Sequence, residues 1–175
     1  MKVAFLDRDG VLNVDYRYVH KWDDFVWVPG AIEGMKKLRD MDFSLIIVTN
    51  QSGIARGFYT EDDFLILMDE VKADLKRFGV SLLDVFFCPH HIEGKIDRFK
   101  IDCDCRKPRP GMLKKAIKKY GIDLNSSILI GDQDTDILAG NSAGIEKCFK
   151  VDSCVPKNLK SFFRNDAPKA KRKLS

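Results

Sequence analysis

Short apolar runs alternate along this chain with stretches whose apolar residues recur every three or four positions. Val3-Ala4-Phe5-Leu6 reads as a short buried strand. Residues 43–48, 82–87, 127–130 and 146–151 predict four more. Between them, Ala31, Met35 and Leu38 predict a helix over about 30–41, after the breaker Pro29-Gly30. Phe64, Met68, Val71, Leu75 and Phe78 form one face of a helix opened by Thr60 and Asp63, a variant capping box. Leu113, Ala116, Ile117 and Tyr120 form the core face of a helix begun by Pro110, and a short helix ends near 143. Residues 11–28 mix aromatics and charges without helical period and read as an excursion, a small hairpin, over the end of the first strand.

The order is β-α-β-α-β-α-β-α-β. It predicts an α/β fold: a Rossmann-like parallel sheet with helices on both faces and right-handed crossovers. In such a sheet the C-terminal ends of the strands share one edge, where ligands bind. Each of those ends is polar here. The first strand ends in Asp7-Arg8-Asp9-Gly10, the second in Thr49-Asn50-Gln51-Ser52, and the fourth in Gly131-Asp132-Gln133-Asp134-Thr135-Asp136. The third leads into Cys88-Pro89-His90-His91 and on to Cys103-Asp104-Cys105-Arg106-Lys107. Taken alone, Asp7 and Asp9 also fit a strand followed by a solvated turn. The topology is what predicts that Asp7, Asp9, Thr49, Arg106, Lys107 and Asp132 converge.

Composition bounds the rest. With 175 residues, 45% hydrophobic and 32% charged, the chain fits a soluble protein of one domain. We expect that domain over 1–155, with a zinc loop at 88–107, and a basic tail over 156–175. No run spans a bilayer and the N-terminus does not read as a signal peptide, so a cytoplasmic protein is expected. Five cysteines argue against a complete disulfide framework. The net charge of +4 is uneven: residues 150–175 carry eight Lys/Arg against two Asp. Lys169-Ala170-Lys171-Arg172-Lys173 could meet nucleic acid or a membrane; a solvated tail is the commoner arrangement, and neither partner is expected. A monomer is expected.

Cys88, His90, Cys103 and Cys105 supply four soft ligands, as a closed structural Zn²⁺ site requires. His91 is the alternative to His90. No position would stay open for a reacting water, so this metal would order the loop that delivers Arg106 and Lys107. Nothing else in 88–107 promises to order it. Cys148 and Cys154 read as ordinary thiols. Three carboxylates beside a threonine, an arginine and a lysine suit phosphate and Mg²⁺. An aspartate can attack phosphorus, and a second carboxylate two residues on can protonate the leaving alcohol and then activate water. Thr49 and Lys107 can hold the phosphoryl oxygens.

Asp7-x-Asp9-Gly10, Thr49, Lys107 before a helix, and Gly131-Asp132-x-x-x-Asp136 together resemble the four motifs of the haloacid dehalogenase-like (HAD) phosphohydrolases. The resemblance implies Asp7 as nucleophile, Asp9 as acid/base, and Mg²⁺ on Asp7, the Asp9 carbonyl and Asp132, with Asp136 orienting the site. Without a long insertion between motifs, it implies a capless member. Cys-Pro-His-His, Cys-Asp-Cys-Arg-Lys-Pro and Thr-Asn-Gln-Ser-Gly-Ile-Ala-Arg-Gly further resemble the heptose 1,7-bisphosphate 7-phosphatase family. That resemblance implies removal of a C7 phosphate from a small sugar bisphosphate, in heptose synthesis for lipopolysaccharide or another surface glycan. It also implies substrate contacts at Asp7, Arg8, Asp9, Asp15, Tyr16, Arg17, Tyr18, Thr49, Asn50, Gln51, Ser52, Arg106 and Lys107. Tyr16 and Tyr18 could equally pack beneath the excursion. Arg17 and Gln133 stand where that family often has a small residue and a lysine. Two rivals are a histidinol-phosphate phosphatase and a zinc-stabilised nucleic-acid-binding module.

Overall fold

The computed structural model describes residues 1–152. The basic tail and Cys154 lie outside the described residues. Five strands, β1 (Val3–Leu6), β2 (Ser44–Asn50), β3 (Leu82–Cys88), β4 (Ile128–Gly131) and β5 (Lys147–Lys150), form one sheet in the order β3-β2-β1-β4-β5. Every neighbouring pair is parallel. The helices are α1 (Ala31–Asp40), α2 (Ser52–Ala55), α3 (Glu61–Arg77), α4 (Gly111–Tyr120) and α5 (Asp134–Ala143).

Alternation along the strands splits the core in two. Ala4, Leu6, Leu45 and Ile47 face α1 and α3 and pack with Met35, Phe64, Met68, Val71 and Leu75. Val3, Phe5, Ile46 and Val48 point the other way, onto Met112, Leu113 and Ala116 of α4 and Ala139 of α5. Both faces of β1 and β2 are therefore buried, which explains their unbroken apolar runs. Phe5 and Phe64 are both fully buried, each worth ~1.5–3 kcal/mol in apolar transfer.

The capping box opens α3: Thr60 Oγ1 accepts from Asp63 N at 3.1 Å, and Asp63 Oδ2 accepts from Thr60 N at 2.8 Å. The excursion is a hairpin in reduced form. Val14 N donates to Val26 O at 2.8 Å and Val28 N to Leu12 O at 2.9 Å, around a single antiparallel bridge between Asn13 and Trp27. The one-turn helix α2 has no counterpart in the sequence expectation, because four residues are too few to show a period.

The 88–107 loop corrects one expectation: it has anchors besides a metal. A 3₁₀ turn at Asp97–Phe99 buries Phe99. Lys95 N and Ile96 N both donate to Ala55 O, at 2.7 and 3.0 Å, tying the loop to α2. No described helix is long and apolar enough to cross a membrane.

Candidate active site

The parallel sheet brings the C-terminal ends of β1, β2 and β4 together. Asp7 follows β1 directly, and its N–H continues the ladder to Ile130 O at 3.0 Å. Gly10 takes φ 88°, the left-handed backbone that turns the chain away after Asp9. Asp132 follows β4, and Asp136 lies on the first turn of α5.

Lys107 knits these elements together. Its ammonium lies 2.9 Å from Asp7 Oδ1 and 2.5 Å from Asp136 Oδ1, and it donates to Val48 O at 2.8 Å. Lys107 is 4% exposed, so these contacts replace its water. Burial disfavours its charge, but Asp7 and Asp136 overcome that and raise its pKa. Asp136 Oδ2 accepts from Gln133 N at 3.0 Å. Both of its oxygens are thus engaged within the protein, in keeping with an orienting place.

Burial pushes the Asp7 carboxyl up to about 7, against the pull of Lys107 and with Asp136 adding repulsion. Asp7, Asp132 and Asp136 can offer oxygens within 4.8 Å of one another. Asp132 Oδ2 accepts from Gln133 Nε2 at 2.8 Å, while its Oδ1 is buried without a hydrogen-bond partner. Four carboxylates, counting Asp9, face two buried cations, Arg8 and Lys107. That excess of two negative charges, the orphaned oxygen and the all-oxygen donor set fit a hard divalent cation, which would also draw Asp7 toward its ionised form.

Asp9 is held from three sides. Its Oδ1 accepts from Arg8 Nη2 at 2.7 Å and Asn13 Nδ2 at 3.0 Å. Its Oδ2 accepts from the same Arg8 nitrogen at 2.9 Å and from Gln51 Nε2 at 3.0 Å. Arg8 is 0% exposed and also donates to Val19 O at 2.7 Å. This corrects the expectation of a substrate contact: the Arg8 guanidinium lies beneath Asp9, facing the protein. Tyr16 is half-buried and packs against the apolar cluster under the excursion.

A cavity of about 270 Å³ opens beside Asp9. Asp15, Arg17, Tyr18, Asn50, Gln51 and Ser52 line it, and Tyr59 joins them. Arg17 and Tyr18 occupy left-handed backbone, φ 63° and 57°, where the Asp15 carboxylate accepts from Arg17 N at 2.8 Å. Two consecutive non-glycine residues in that region store backbone strain, which the surrounding structure must over-determine. Thr49 is buried and its Oγ1 accepts from Gln51 Nε2 at 2.8 Å. Arg106 is not part of the cavity wall; its Nη1 lies 3.5 Å from His90 O. Tyr59 and Asn13 were missed by sequence reasoning. Asn13 sits in an apolar stretch and Tyr59 just before a helix cap, with no period or motif to mark either.

The soft-ligand cluster assembles where the two ends of the long loop meet. Cys105 Sγ lies 3.1 Å from Cys88 Sγ and 3.2 Å from Cys103 Sγ, and Cys88 and Cys103 are 3.5 Å apart. His90 Nδ1 is 3.3 Å from Cys105 Sγ and 3.8 Å from Cys88 Sγ. Ligands around tetrahedral zinc would stand roughly 3.8 Å apart for sulfur pairs, from Zn–S bonds of ~2.3 Å. The four side chains are thus nearly in place. Contact with Cys88 holds the Cys105 thiol down at about 5, which favours the thiolate that binds metal, while that contact and burial push Cys88 up. His91 turns instead to Arg56, at 3.4 Å, and to the Glu93 N–H, at 3.1 Å.

Comparison with known proteins agrees with this geometry. Residues 104–150 match a family model described as HAD-hydrolase-like. The D-glycero-alpha-D-manno-heptose-1,7-bisphosphate 7-phosphatase of Photorhabdus laumondii is 52% identical over 151 residues, which is 86% of this chain and 82% of that protein. The D-glycero-beta-D-manno-heptose-1,7-bisphosphate 7-phosphatase of Pasteurella multocida is 48% identical, over 89% of this chain and 84% of that one. Among solved structures, the D,D-heptose 1,7-bisphosphate phosphatase of B. bronchiseptica, complexed with magnesium and phosphate, superposes with a TM-score of 0.76 at 30% identity, covering 96% of this chain and 89% of that chain. A phosphoric monoester hydrolase, this chain belongs to the D-glycero-D-manno-heptose-1,7-bisphosphate 7-phosphatase family of haloacid dehalogenase-like hydrolases.

Proposed function

We propose that the chain removes the C7 phosphate of D-glycero-D-manno-heptose 1,7-bisphosphate and leaves the C1 phosphate in place, in the cytoplasm, as a step toward nucleotide-activated heptose for lipopolysaccharide or another surface glycan. The observation that carries this reading is the meeting of Asp7, Asp9, Lys107 and Asp132 at one sheet edge, in a chain 45–52% identical to enzymes named for that reaction. Relatives are named for either anomer, alpha and beta.

Asp7 is the nucleophile: its carboxylate attacks phosphorus, the P–O bond to the sugar breaks, and an aspartyl-phosphate forms. Asp9 gives its proton to the departing C7 oxygen. It then takes a proton from the water that hydrolyses the aspartyl-phosphate. Lys107 and Thr49 hold the phosphoryl oxygens as charge spreads over them. Mg²⁺ would be held by Asp7, Asp132 and the Asp9 carbonyl, and supplies charge neutralisation between the nucleophile and the anionic phosphoryl group. Asp15, Arg17, Tyr18, Asn50, Gln51 and Ser52 form the sugar pocket, and Arg106 takes part in substrate recognition. Cys88, His90, Cys103 and Cys105 hold one structural Zn²⁺. The protein acts as a monomer, without nucleic acid.

Phosphate release from the bisphosphate, with and without Mg²⁺, tests the reading. Release of one phosphate per sugar, abolished by chelation and restored by Mg²⁺, is expected; metal-independent release would overturn the mechanism.

A further inference from the structure

We propose that Tyr59 is a positioning residue for this reaction: its hydroxyl fixes the amide of Gln51, which in turn holds the acid/base Asp9. The inference rests on reading Asp9 as the acid/base. Tyr59 is 6% exposed, and its hydroxyl donates to Gln51 Oε1 at 2.6 Å. Gln51 is 2% exposed, and its nitrogen end reaches Asp9 Oδ2 at 3.0 Å and Thr49 Oγ1 at 2.8 Å. Arg8 and Asn13 hold Asp9 from the β1 side, while Gln51 holds it from the end of β2.

An amide can turn over, exchanging oxygen for nitrogen with little change of shape. Turned over, Gln51 would present its oxygen to the Asp9 carboxylate, a repulsive pairing, and would lose both donations. The Tyr59 hydroxyl opposes this by giving Oε1 a buried donor. Without it, Oε1 would be a buried acceptor lacking a partner. Burial pushes the Tyr59 phenol up, so it stays a donor at neutral pH.

The ring itself is locked. It stacks on His20 with centroids 4.7 Å apart and planes 6° from parallel. It also lies so close to Gly53 that a β-carbon there would overlap it. This gives the glycine of Ser52-Gly53-Ile54 a physical reason: it makes room for the ring that orients Gln51. Tyr59 lines the cavity with its hydroxyl engaged by Gln51, so the path from it to Asp9 runs through that amide.

Leaving-group dependence tests this. Tyr59→Phe keeps the stack and removes only the hydroxyl. An alkyl leaving group needs the proton from Asp9, whereas p-nitrophenolate leaves without one. We expect kcat/KM to fall about tenfold for the heptose bisphosphate and for glycerol 1-phosphate, the weight of one buried hydrogen bond, and by less than about twofold for p-nitrophenyl phosphate. In a Gln51→Met background, adding Tyr59→Phe should cost less than about twofold further. Equal losses on alkyl and aryl substrates, or a full repeat of the loss in that background, would overturn the proposal. The second result would mean that the hydroxyl touches the sugar directly. If Tyr59→Phe does not fold, Gln51→Met alone must show the alkyl bias. Asp9→Asn separates the two readings. Should it lack the bias, the acid/base assignment falls and Tyr59's place with it. Should it show the bias while Tyr59→Phe does not, only the Tyr59 proposal falls.

Discussion

Asn50 grips the backbone of Lys107 from both sides: Asn50 Nδ2 donates to Lys107 O at 3.1 Å, and Asn50 Oδ1 accepts from Lys107 N at 3.0 Å. One amide thus stands in for a β-ladder between the end of β2 and a residue 57 positions away. It sets the origin of the lysine side chain, while Asp7, Asp136 and Val48 set its tip. Asn50→Ala removes both bonds and should cost ~1–3 kcal/mol in stability. We expect turnover to fall about tenfold through a displaced Lys107, less than for Lys107→Met. Thermal unfolding and kcat measured together check this; unchanged values for both would show the grip to be incidental.

Asp7→Asn keeps the shape of the side chain but removes the nucleophile and a charge. Turnover should drop by several orders of magnitude, because nucleophile and metal site act as a unit. Retention of more than about a tenth of the rate would contradict attack by Asp7. Asp9→Asn should lose ~10²–10⁴-fold on the sugar phosphate.

Arg8 separates two roles cleanly. As the buried partner of Asp9, its replacement by Met leaves that carboxylate without its main counter-charge and should destabilise the protein by ~3–5 kcal/mol. Urea unfolding reads this directly. A raised KM with unchanged stability would instead mean that Arg8 meets substrate.

The strands and the helices on both faces were legible because burial on two sides imposes apolar runs and a helical face imposes its period. Asp7, Asp9 and Asp132 were legible because carboxylates are costly at the end of a buried strand unless something compensates them. Arg8 was misplaced. Its contact with substrate was expected from the resemblance alone, and only the fold shows the space beneath Asp9 that takes it. Asn13 and Tyr59 act through hydrogen bonds to Asp9 and Gln51, contacts that leave no periodicity. The order of the 88–107 loop comes partly from Ala55 and Phe99, long-range packing that its polar composition conceals.

Purified protein should carry one zinc per chain that resists mild EDTA. Cys105→Ser should lose it, loosen residues 88–107 and lower turnover through Arg106 and Lys107, which follow the last ligand directly. Elemental analysis alongside hydrogen exchange over the loop checks both parts. An active preparation without zinc would remove the metal from the account.

The substrate is decided by a side-by-side measurement of kcat/KM for both anomers of heptose 1,7-bisphosphate and for histidinol phosphate at one Mg²⁺ concentration, with the position of the remaining phosphate identified. The pocket presents Arg17, and guanidinium groups match a second phosphate. The same groups repel the ammonium of histidinol phosphate. The expected result is sugar 1-phosphate as product and a preference of at least ~10²-fold for one of the bisphosphate anomers, about 2.7 kcal/mol of differential transition-state binding. Loss of the C1 phosphate, or histidinol phosphate turned over as well as the preferred anomer, would contradict it.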